Sequence, residues 1–372
     1  MRQVIFRQDW LLNSAAFLLM GAGLLSIYSA NSSLFFQQLI SVVLGLILLF
    51  GLSVLNWKAL KSYPMIILAI YLAALTLLVL TLFFAPTIRG IKGWIVIGTL
   101  RFQVAEFMKV ALIILFSYFF SYRHIGIARL TNIFKSFVYL AIPSLLIFLQ
   151  PDMGSVIVLV AIWAGFLMVS GIKLKHFLTG VVVALLALLI AWFFVLAPYQ
   201  QERIVGFFQP DYDPLGVNYS TIQAKIAIGS GGLFGQGYGR GTQTQLGFLP
   251  EAATDFVYAS LIEEWGLFGG VLVLVAFLIL ILRTIHIGLF SESNFYRLLC
   301  LGSAILFLTQ FIINVGSATG MLPVIGLTFP FLSYGGSSII VNCVLLGMIQ
   351  SARRFAHQPR SAILHSDIMF ES

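Results

Sequence analysis

Five carboxylates of this 372-residue chain stand where a charge is costly, at the edges of long apolar stretches or inside them. They are Glu106, Asp152, Asp255, Glu263 and Glu264. An ionisable side chain in apolar surroundings is expensive unless it is paired or lines a wet cavity, so these residues are candidates for acid–base chemistry. The alternative is structural, with each carboxylate bridged to a nearby cation such as Lys92 or Arg101.

Glu106 and Lys109 carry the clearest spacing signal. The interval of three places both side chains on one face of a helix, where they can pair. An ion pair one turn into an apolar helix, with Arg101 just before it, suits an anionic ligand that enters from the side. A purely structural bridge explains the same spacing, so both interpretations stay open.

A glycine-rich segment, Gly229–Gly241, lies within the longest hydrophilic stretch of the chain, residues 199–254. The glycine spacing fits neither a Walker A motif nor a dinucleotide fingerprint. Exposed backbone N–H groups beside Arg240 predict contact with a phosphate. Loop flexibility is the simpler explanation for most of these glycines.

The same stretch leads through Gln243 and Glu251 to Asp255, at the start of the next apolar run. A carboxylate at that place is a candidate general base. Local sequence alone favours a simpler role, because Thr254 or Asp255 is also a good helix N-cap.

Composition identifies the environment of these residues. The chain is 60% hydrophobic and only 9% charged, and its mean hydropathy is +1.02. Soluble proteins carry about 25% charged residues. Membrane barrels alternate apolar and polar residues, whereas this chain has continuous apolar runs, which leaves helices as the spanning element. We therefore expect an all-α polytopic integral membrane protein, with residues 1–372 forming a single membrane domain.

Ten apolar windows predict ten transmembrane helices, with a large outer loop, residues 199–254, between the seventh and the eighth. The windows are Trp10–Tyr28, Leu34–Leu55, Met65–Ala85, Val104–Phe120, Phe137–Leu149, Val156–Ser170, Phe177–Ala197, Phe256–Leu282, Leu298–Ala318 and Phe331–Gln350.

The fifth and sixth windows are short against the roughly 20 residues that a span needs. They are either one helix kinked at Gln150-Pro151-Asp152 or two helices joined there by a hairpin. With two helices and a cytoplasmic N-terminus, 14 of the 21 lysines and arginines fall on the inner side, whereas merging the windows gives 10. The positive-inside rule favours the hairpin and places both termini in the cytoplasm. The net charge of +8 then follows from topology, so no nucleic-acid partner is expected.

This topology restricts the chemistry of the outer face. The five candidate carboxylates fall in or near outer segments, and all five histidines fall in inner ones. A Ser-His-Asp triad and a histidine zinc site are thereby excluded outside. Carboxylate acid–base chemistry, cationic charge stabilisation and a hard divalent ion held by oxygen remain.

Several strings along the chain together resemble the SEDS family of shape, elongation, division and sporulation proteins. The strings are Ile226–Gly235, Gly241–Gln245, Phe248–Glu251, Thr254–Phe256, Arg101–Gln103 leading to Glu106 and Lys109, Gln150–Gly154 and Pro330–Ser338. Together these strings cover the chain from about residue 89 to residue 354, in the order that the family shows. The Gly-Ser-Gly-Gly and Gly-Thr-Gln pattern is more similar to the RodA elongation branch than to the FtsW division branch.

The resemblance implies a peptidoglycan glycosyltransferase that polymerises lipid II at the outer face of the bacterial cytoplasmic membrane, for elongation and rod shape. It implies a class B penicillin-binding protein, lipid II and membrane lipids as partners. The family's essential aspartate maps onto Asp255. Its cavity pair maps onto Glu106 and Lys109, and its hairpin aspartate onto Asp152. Further expected substrate-binding residues are Arg101, Arg240, Gln243 and Glu251.

Three positions depart from the family pattern. Val104-Ala105 stands where Pro-Ser is usual before Glu106, Gly93 replaces an arginine before Trp94, and Ala253 replaces a histidine before Thr254. These departures put in doubt any role for the missing cation and imidazole and leave the reaction class intact.

The expected reaction needs one carboxylate base, because a lipid pyrophosphate is already a good leaving group and needs no second acid. No cofactor is certain, and a divalent cation, Mg or Mn, stays open. The alternatives are a lipid II flippase, a noncatalytic scaffold for the penicillin-binding protein and a division polymerase similar to FtsW.

Overall fold

The fold is taken from a computed structural model that describes residues 8–88, 90–98, 100–123, 130–194, 196–209 and 212–355. It is mostly helical in that part of the chain. The longer helices are α1 (Trp10–Ala30), α2 (Ser32–Leu52), α3 (Pro64–Phe84), α4 (Val104–Arg123), α5 (Leu130–Leu149), α6 (Met153–Val169), α7 (Leu174–Phe194), α11 (Val257–Leu289), α12 (Asn294–Thr319) and α13 (Gly336–Phe355). The shorter elements are a 3₁₀ helix (Trp57–Ser62), α8 (Pro198–Phe208), α9 (Tyr219–Ser230), α10 (Thr242–Gln245), β1 (Trp94–Ile97) and β2 (Leu100–Gln103).

Each predicted apolar window overlaps one of the longer helices. Seven of these helices, α1 to α5, α11 and α12, are long and apolar enough to cross a membrane in the part of the chain that is described. The molecule is therefore a multi-pass membrane protein. The count of ten spans and the orientation of the chain stay predictions.

The fifth and sixth windows form two helices that pack against each other, as the hairpin interpretation predicts. Helix α5 ends at Leu149, and Pro151 follows without a backbone N–H to continue it. Asp152 then begins α6 as its N-cap, because one side-chain oxygen accepts a hydrogen bond from the Ser155 N–H at 3.0 Å. The alternative of one kinked helix is wrong.

Helix α4 lies at the centre of the bundle. Its apolar window is 89% buried, against 28% for the windows of α2 and α3 and 22% for that of α5. It packs against α3, α6 and α12. A charged side chain on this helix is therefore surrounded by protein on every side, which is where Glu106 and Lys109 stand.

Helix α11 is broken at Gly266, whose backbone adopts φ 73° and ψ −175°. The break frees backbone groups that an intact helix would pair internally. The glycine-rich segment supplies partners, since the Leu267 N–H donates to the Gly232 carbonyl at 2.9 Å and the Phe268 N–H to the Leu233 carbonyl at 3.1 Å. The loop thus completes the hydrogen bonding of a membrane helix.

The glycine-rich segment also provides hydrogen-bond donors for the backbone carbonyls that precede the break. The N–H groups of Gln236 and Gly237 donate to the carbonyls of Glu263 and Glu264 at 2.9 and 3.1 Å. The two backbones approach so closely that a Cβ on Gly235 would lie 2.1 Å from the Glu264 carbonyl oxygen. Close approach and a positive φ of 80° explain this glycine, so the expectation of simple loop flexibility is wrong here.

At the opposite end of the bundle, Asp9 joins both ends of the described chain. It is 1% exposed, caps α1 through the Leu12 N–H, and pairs with Arg283 of α11 and Arg353 of α13. Its backbone also exchanges hydrogen bonds of 2.8 and 3.0 Å with the Gln350 side chain. Burial raises the pKa of Asp9, but the Arg283 hydrogen bond, the Leu12 N–H and the charges of Arg353 and Arg283 outweigh it, so the pKa is lowered.

We expect Asp9→Asn to destabilise the protein by about 1.5–3 kcal/mol, the range for a hydrogen bond to a charged group. The loss stays below that of a fully buried pair because Arg283 and Arg353 reach solvent, with 28% and 39% of their side chains exposed. Thermal unfolding of the wild type and of Asp9→Asn in neutral detergent measures this loss of stability. A substitution of an exposed carboxylate, Glu292→Gln, is the control.

The contribution of Asp9 to the stability of the protein should fall in acid. Because folding lowers the pKa of Asp9 from 3.8, its stabilisation is fully present above pH 3.8 and is lost as the pH falls through the folded-state pKa. The gap between wild type and Asp9→Asn should close over that acidic interval. A gap that persists unchanged below it would contradict the assignment.

Candidate functional site

Asp255 lies two residues before Val257, the first residue of α11, and is half-buried. The N-cap position of α11 is Phe256, and no side chain caps it. The Thr254 hydroxyl donates to the Glu251 carboxylate at 2.9 Å. Neither Thr254 nor Asp255 occupies the cap position, so the N-cap prediction for these residues is wrong.

The backbone around Asp255 is held by the connection between α12 and α13, residues 320–335. The Ser333 hydroxyl donates to the Thr254 carbonyl at 2.6 Å, and the Tyr334 N–H donates to the Ala253 carbonyl at 2.8 Å. The buried amide of Asn314 on α12 donates to the carbonyls of Asp255 and Leu327 at 3.0 and 2.7 Å. The position of Asp255 is therefore set by contacts to its main chain.

Sequence reasoning missed Asn314 and assigned no role to Ser333. Ser333 lies in the Pro330–Ser338 string, which signalled the family without signalling a function. Asn314 lies in an apolar window, and a polar amide at membrane depth was the available signal.

Glu263 is fully buried on α11 and organises α10. Its carboxylate accepts hydrogen bonds from the N–H groups of Gln243 and Thr244 at 2.6 and 3.1 Å and from the Thr244 hydroxyl at 2.8 Å. An anion at orphan N–H groups of a helical turn is favourable. Glu263 therefore follows the structural alternative, although its partners are loop donors rather than a basic side chain.

Glu264 ties the same loop to α1. Its carboxylate accepts a hydrogen bond from the Ser29 hydroxyl and another from the Gln245 amide at 3.1 Å. The Tyr238 hydroxyl nearby donates to the Leu25 carbonyl at 3.1 Å. Burial, followed by the negative charge of Glu264, raises the pKa of Tyr238 above its usual range.

Glu106 and Lys109 form the predicted pair, with 2.7 Å between Nζ and Oε1. Lys109 is fully buried and Glu106 is 5% exposed. The second oxygen of Glu106, Oε2, is buried and has no hydrogen-bond partner among the residues that the structure describes. A buried carboxylate oxygen without a donor is costly, which makes it a natural acceptor for a ligand or water.

The segment before α4 forms a small antiparallel hairpin rather than the purely helical structure expected. Trp94 pairs with Gln103 and Val96 with Arg101. The Gln103 amide donates to the second oxygen of Asp152 at 2.7 Å. Asp152 therefore caps α6 and anchors the hairpin, whereas the Arg101 side chain stands exposed on β2.

Asp152 and Asp255 flank one segment, residues 325–327. A Cβ on Gly154, two residues after Asp152, would lie 3.0 Å from the Leu327 side chain and 3.3 Å from the Ile325 carbonyl. On the other flank, a Cβ on Gly326 would lie 3.6 Å from Oδ2 of Asp255. The turn that carries Asp152 and the candidate base Asp255 therefore both lie next to residues 325–327.

The remaining predicted residues are on the outer loop. Glu251 is exposed at a positive φ of 52°, and Arg240 is exposed within the glycine-rich segment. Gln243 is half-buried, and its side-chain Oε1 has no hydrogen-bond partner. Their roles in substrate binding stay predictions.

The glycine-rich segment offers fewer anion contacts than its composition suggested. The N–H groups of Gly235, Gln236, Gly237 and Arg240 all donate to backbone carbonyls. The prediction that these N–H groups contact a phosphate is therefore wrong for the four donors.

No three His, Cys, Asp or Glu side chains cluster as a metal site within the described ranges. A divalent cation, Mg or Mn, stays a prediction.

Comparisons with known proteins agree with this architecture. A curated relative, peptidoglycan glycosyltransferase MrdB of Escherichia coli K12, is 37% identical over 284 residues, which are 76% of each chain. A solved structure described as "Structural coordination of polymerization and crosslinking by a peptidoglycan synthase complex" matches with a TM-score of 0.81 at 29% identity, covering 95% of this chain and 99% of that one. The crystal structure of the Thermus thermophilus rod shape determining protein RodA matches with a TM-score of 0.71 at 28% identity, covering 95% and 98%.

The family model that matches is that of the cell cycle proteins FtsW, RodA and SpoVE, and the match spans residues 10–358. It includes every longer helix, the outer loop and the segment around Asp255. The chain therefore belongs to the FtsW/RodA/SpoVE family.

Proposed function

We propose that this chain is a peptidoglycan glycosyltransferase that polymerises lipid II, with Asp255 as its general base. The name of the MrdB relative supports the reaction class. The observation that carries the assignment of the base is the clamping of the Asp255 segment by Asn314, Ser333 and Tyr334. A half-buried carboxylate on a fixed backbone is suited to proton abstraction.

The chemistry needs a single base. The 4-hydroxyl of the acceptor sugar gives its proton to the Asp255 carboxylate as its oxygen bonds to the anomeric carbon of the donor. The donor's bond to the lipid pyrophosphate breaks, and the pyrophosphate leaves with the electron pair. The proton then passes from Asp255 to water, which its half-exposed position allows.

Glu106 and Lys109 are proposed to contact the substrate from the interior of the bundle. Lys109 offers a buried cation, and Oε2 of Glu106 offers an acceptor without a protein donor. A charge stabilised in such low-dielectric surroundings interacts with a ligand more strongly than it would in water.

Asp255→Asn tests the base directly. The amide keeps the size of the side chain and leaves the main-chain hydrogen bond from Asn314 intact, but it removes the proton acceptor. Glycan synthesis from lipid II should fall by at least about 100-fold. The thermal unfolding midpoint should stay near the wild-type value, and the exposed Glu202→Gln should polymerise normally.

Polymer formed by Asp255→Asn at the wild-type rate would remove Asp255 from the mechanism and leave Glu251 and Asp152 to be tested. A purified wild type that makes no polymer, yet moves lipid II across a bilayer, would favour the flippase alternative.

A second prediction separates the functional and structural roles of the buried pair. Lys109→Met leaves the Glu106 carboxylate buried without its cation, so the free energy of unfolding should fall by about 3–5 kcal/mol. The double variant Glu106→Gln/Lys109→Met removes both charges and should recover most of that stability. If the pair binds substrate, the double variant folds and does not polymerise.

Thermal unfolding and a lipid II polymerisation assay on the same preparations measure the two effects. Full polymerisation by the stable double variant would show that the pair is only a structural bridge.

The proposed topology has ten spans, both termini in the cytoplasm and the Asp255 side facing outward in the bacterial cytoplasmic membrane. The basic residues, 14 of 21 on the proposed inner side, support it. A cysteine at Asp213 should react from outside with an impermeant thiol reagent, and one at Lys173 should not. Both native thiols, Cys300 and Cys343, are buried and serve as the unreactive background. Outside labelling at Lys173 would overturn the orientation.

The proposed partner is a class B penicillin-binding protein that cross-links the product. Support comes from the solved complex, whose description pairs polymerization with crosslinking. A role in elongation and rod shape is favoured by the Gly-Ser-Gly-Gly and Gly-Thr-Gln strings, with division as the alternative.

A further inference from the structure

A cleft of about 100 Å³ lies between the outer loop and the connection that follows α12. Its walls come from α8, α9 and the start of the connection between α12 and α13. Two basic side chains, Arg203 and Lys225, line it together with the polar Asn218 and Thr221. Among the described residues that line it, none is acidic, so the cleft favours an anion.

Arg203 and Lys225 have N–H donors that can bind a ligand. Arg203 uses one N–H on the Val324 carbonyl, at 3.3 Å, out of the five that a guanidinium carries. No carboxylate within the described ranges forms a salt bridge with Arg203 or Lys225. The end of the Lys225 side chain lies against Gly320, where a Cβ would be 2.5 Å from Nζ. The absence of a side chain at residue 320 thus leaves room for the ammonium group.

The rest of the lining is apolar. Phe207, Ile222, Leu322 and Val324 stand beside the cations. A surface that combines positive charge with aliphatic and aromatic side chains fits a ligand that carries an anionic group on an apolar chain. A free phosphate would leave the apolar wall without a partner.

The cleft lies at the end of a helix that is longer than a hydrocarbon core is thick. Helix α12 has 26 residues and is thus about 39 Å long, against about 30 Å for a hydrocarbon core. Its last residue is Thr319, and Gly320 and Leu322 of the cleft follow directly. A cleft at the end of so long a helix is consistent with a ligand whose headgroup lies just outside the hydrocarbon core.

The segment that contains Val324 and Gly326 borders both the cleft and the candidate base. Val324 lines the cleft, and at Gly326, two residues on, a Cβ would lie 3.6 Å from Oδ2 of Asp255. Two residues of extended chain span at most about 7 Å. One lining residue of the cleft and the glycine beside the Asp255 carboxylate are therefore at most about 7 Å apart along the same segment.

We propose that Arg203 and Lys225 form a binding site for the pyrophosphate of a lipid-linked substrate or product. The inference rests on the proposed function and supplies a pyrophosphate site distinct from Arg101, Lys109 and Arg240. The lipid chain lies against the apolar wall and continues into the membrane, while the two cations hold the pyrophosphate oxygens.

The test is a binding measurement on the full-length protein in neutral detergent, with farnesyl diphosphate, inorganic pyrophosphate and farnesol as probes. Arg203→Gln/Lys225→Gln should weaken binding of farnesyl diphosphate by at least about tenfold, because two charge-assisted contacts are lost. Lys173→Gln/Lys175→Gln removes the same charge elsewhere and should bind as wild type does. The charge-conserving Arg203→Lys/Lys225→Arg should retain most of the affinity and controls for folding.

Equal affinity of wild type and Arg203→Gln/Lys225→Gln for farnesyl diphosphate would overturn the site. Inorganic pyrophosphate binding as tightly as farnesyl diphosphate would show a site for free phosphate, and farnesol binding equally well would show that the cations do not matter. The binding measurement involves no glycosyl transfer. Failure of the proposed function would therefore appear in the glycan assay and leave this measurement unchanged.

Discussion

The break in α11 at Gly266 is the constraint on which the outer half of the molecule depends. A backbone group in an apolar bundle must find a partner, and the glycine-rich segment provides four hydrogen bonds around the break. The loop therefore cannot move independently of the helix. Because α11 begins two residues after Asp255, the glycine-rich segment and the candidate base are attached to the same helix.

Buried charge is handled in two different ways at the two ends of the bundle. Asp9 is paired with two arginines that reach solvent, which joins the first and last described helices without a fully desolvated cation. Glu263 is buried completely and is satisfied by N–H and hydroxyl donors of the outer loop. Glu106 differs from both, because one of its oxygens has a lysine and the other has no donor. That incomplete satisfaction marks the pair as a candidate ligand site.

The connection between α12 and α13 links the parts of the candidate site. Residues 320–324 line the cationic cleft, residues 325–327 lie between the Asp152 hairpin and Asp255, and Ser333 and Tyr334 hold the backbone before Asp255. A single connecting segment thus joins the cleft, the turn that follows Asp152 and the backbone before Asp255. Its position is fixed in turn by the Asn314 amide.

Much of the architecture was determined by the sequence itself. Hydropathy predicted the helices, and the distribution of lysines and arginines favoured a hairpin at residues 150–152 over one kinked helix. The interval between Glu106 and Lys109 predicted their contact, since helical spacing is local.

Contacts between distant segments were decided only by the tertiary structure. The use of the glycines could not be predicted, because their partners on α11 lie about 30 residues further along the chain. Asn314, Arg203 and Lys225 gave no local signal of their partners at residues 255, 320, 324 and 327 for the same reason. Local spacing specifies which groups share a helix face, whereas packing decides which carbonyl, carboxylate or cleft those groups meet.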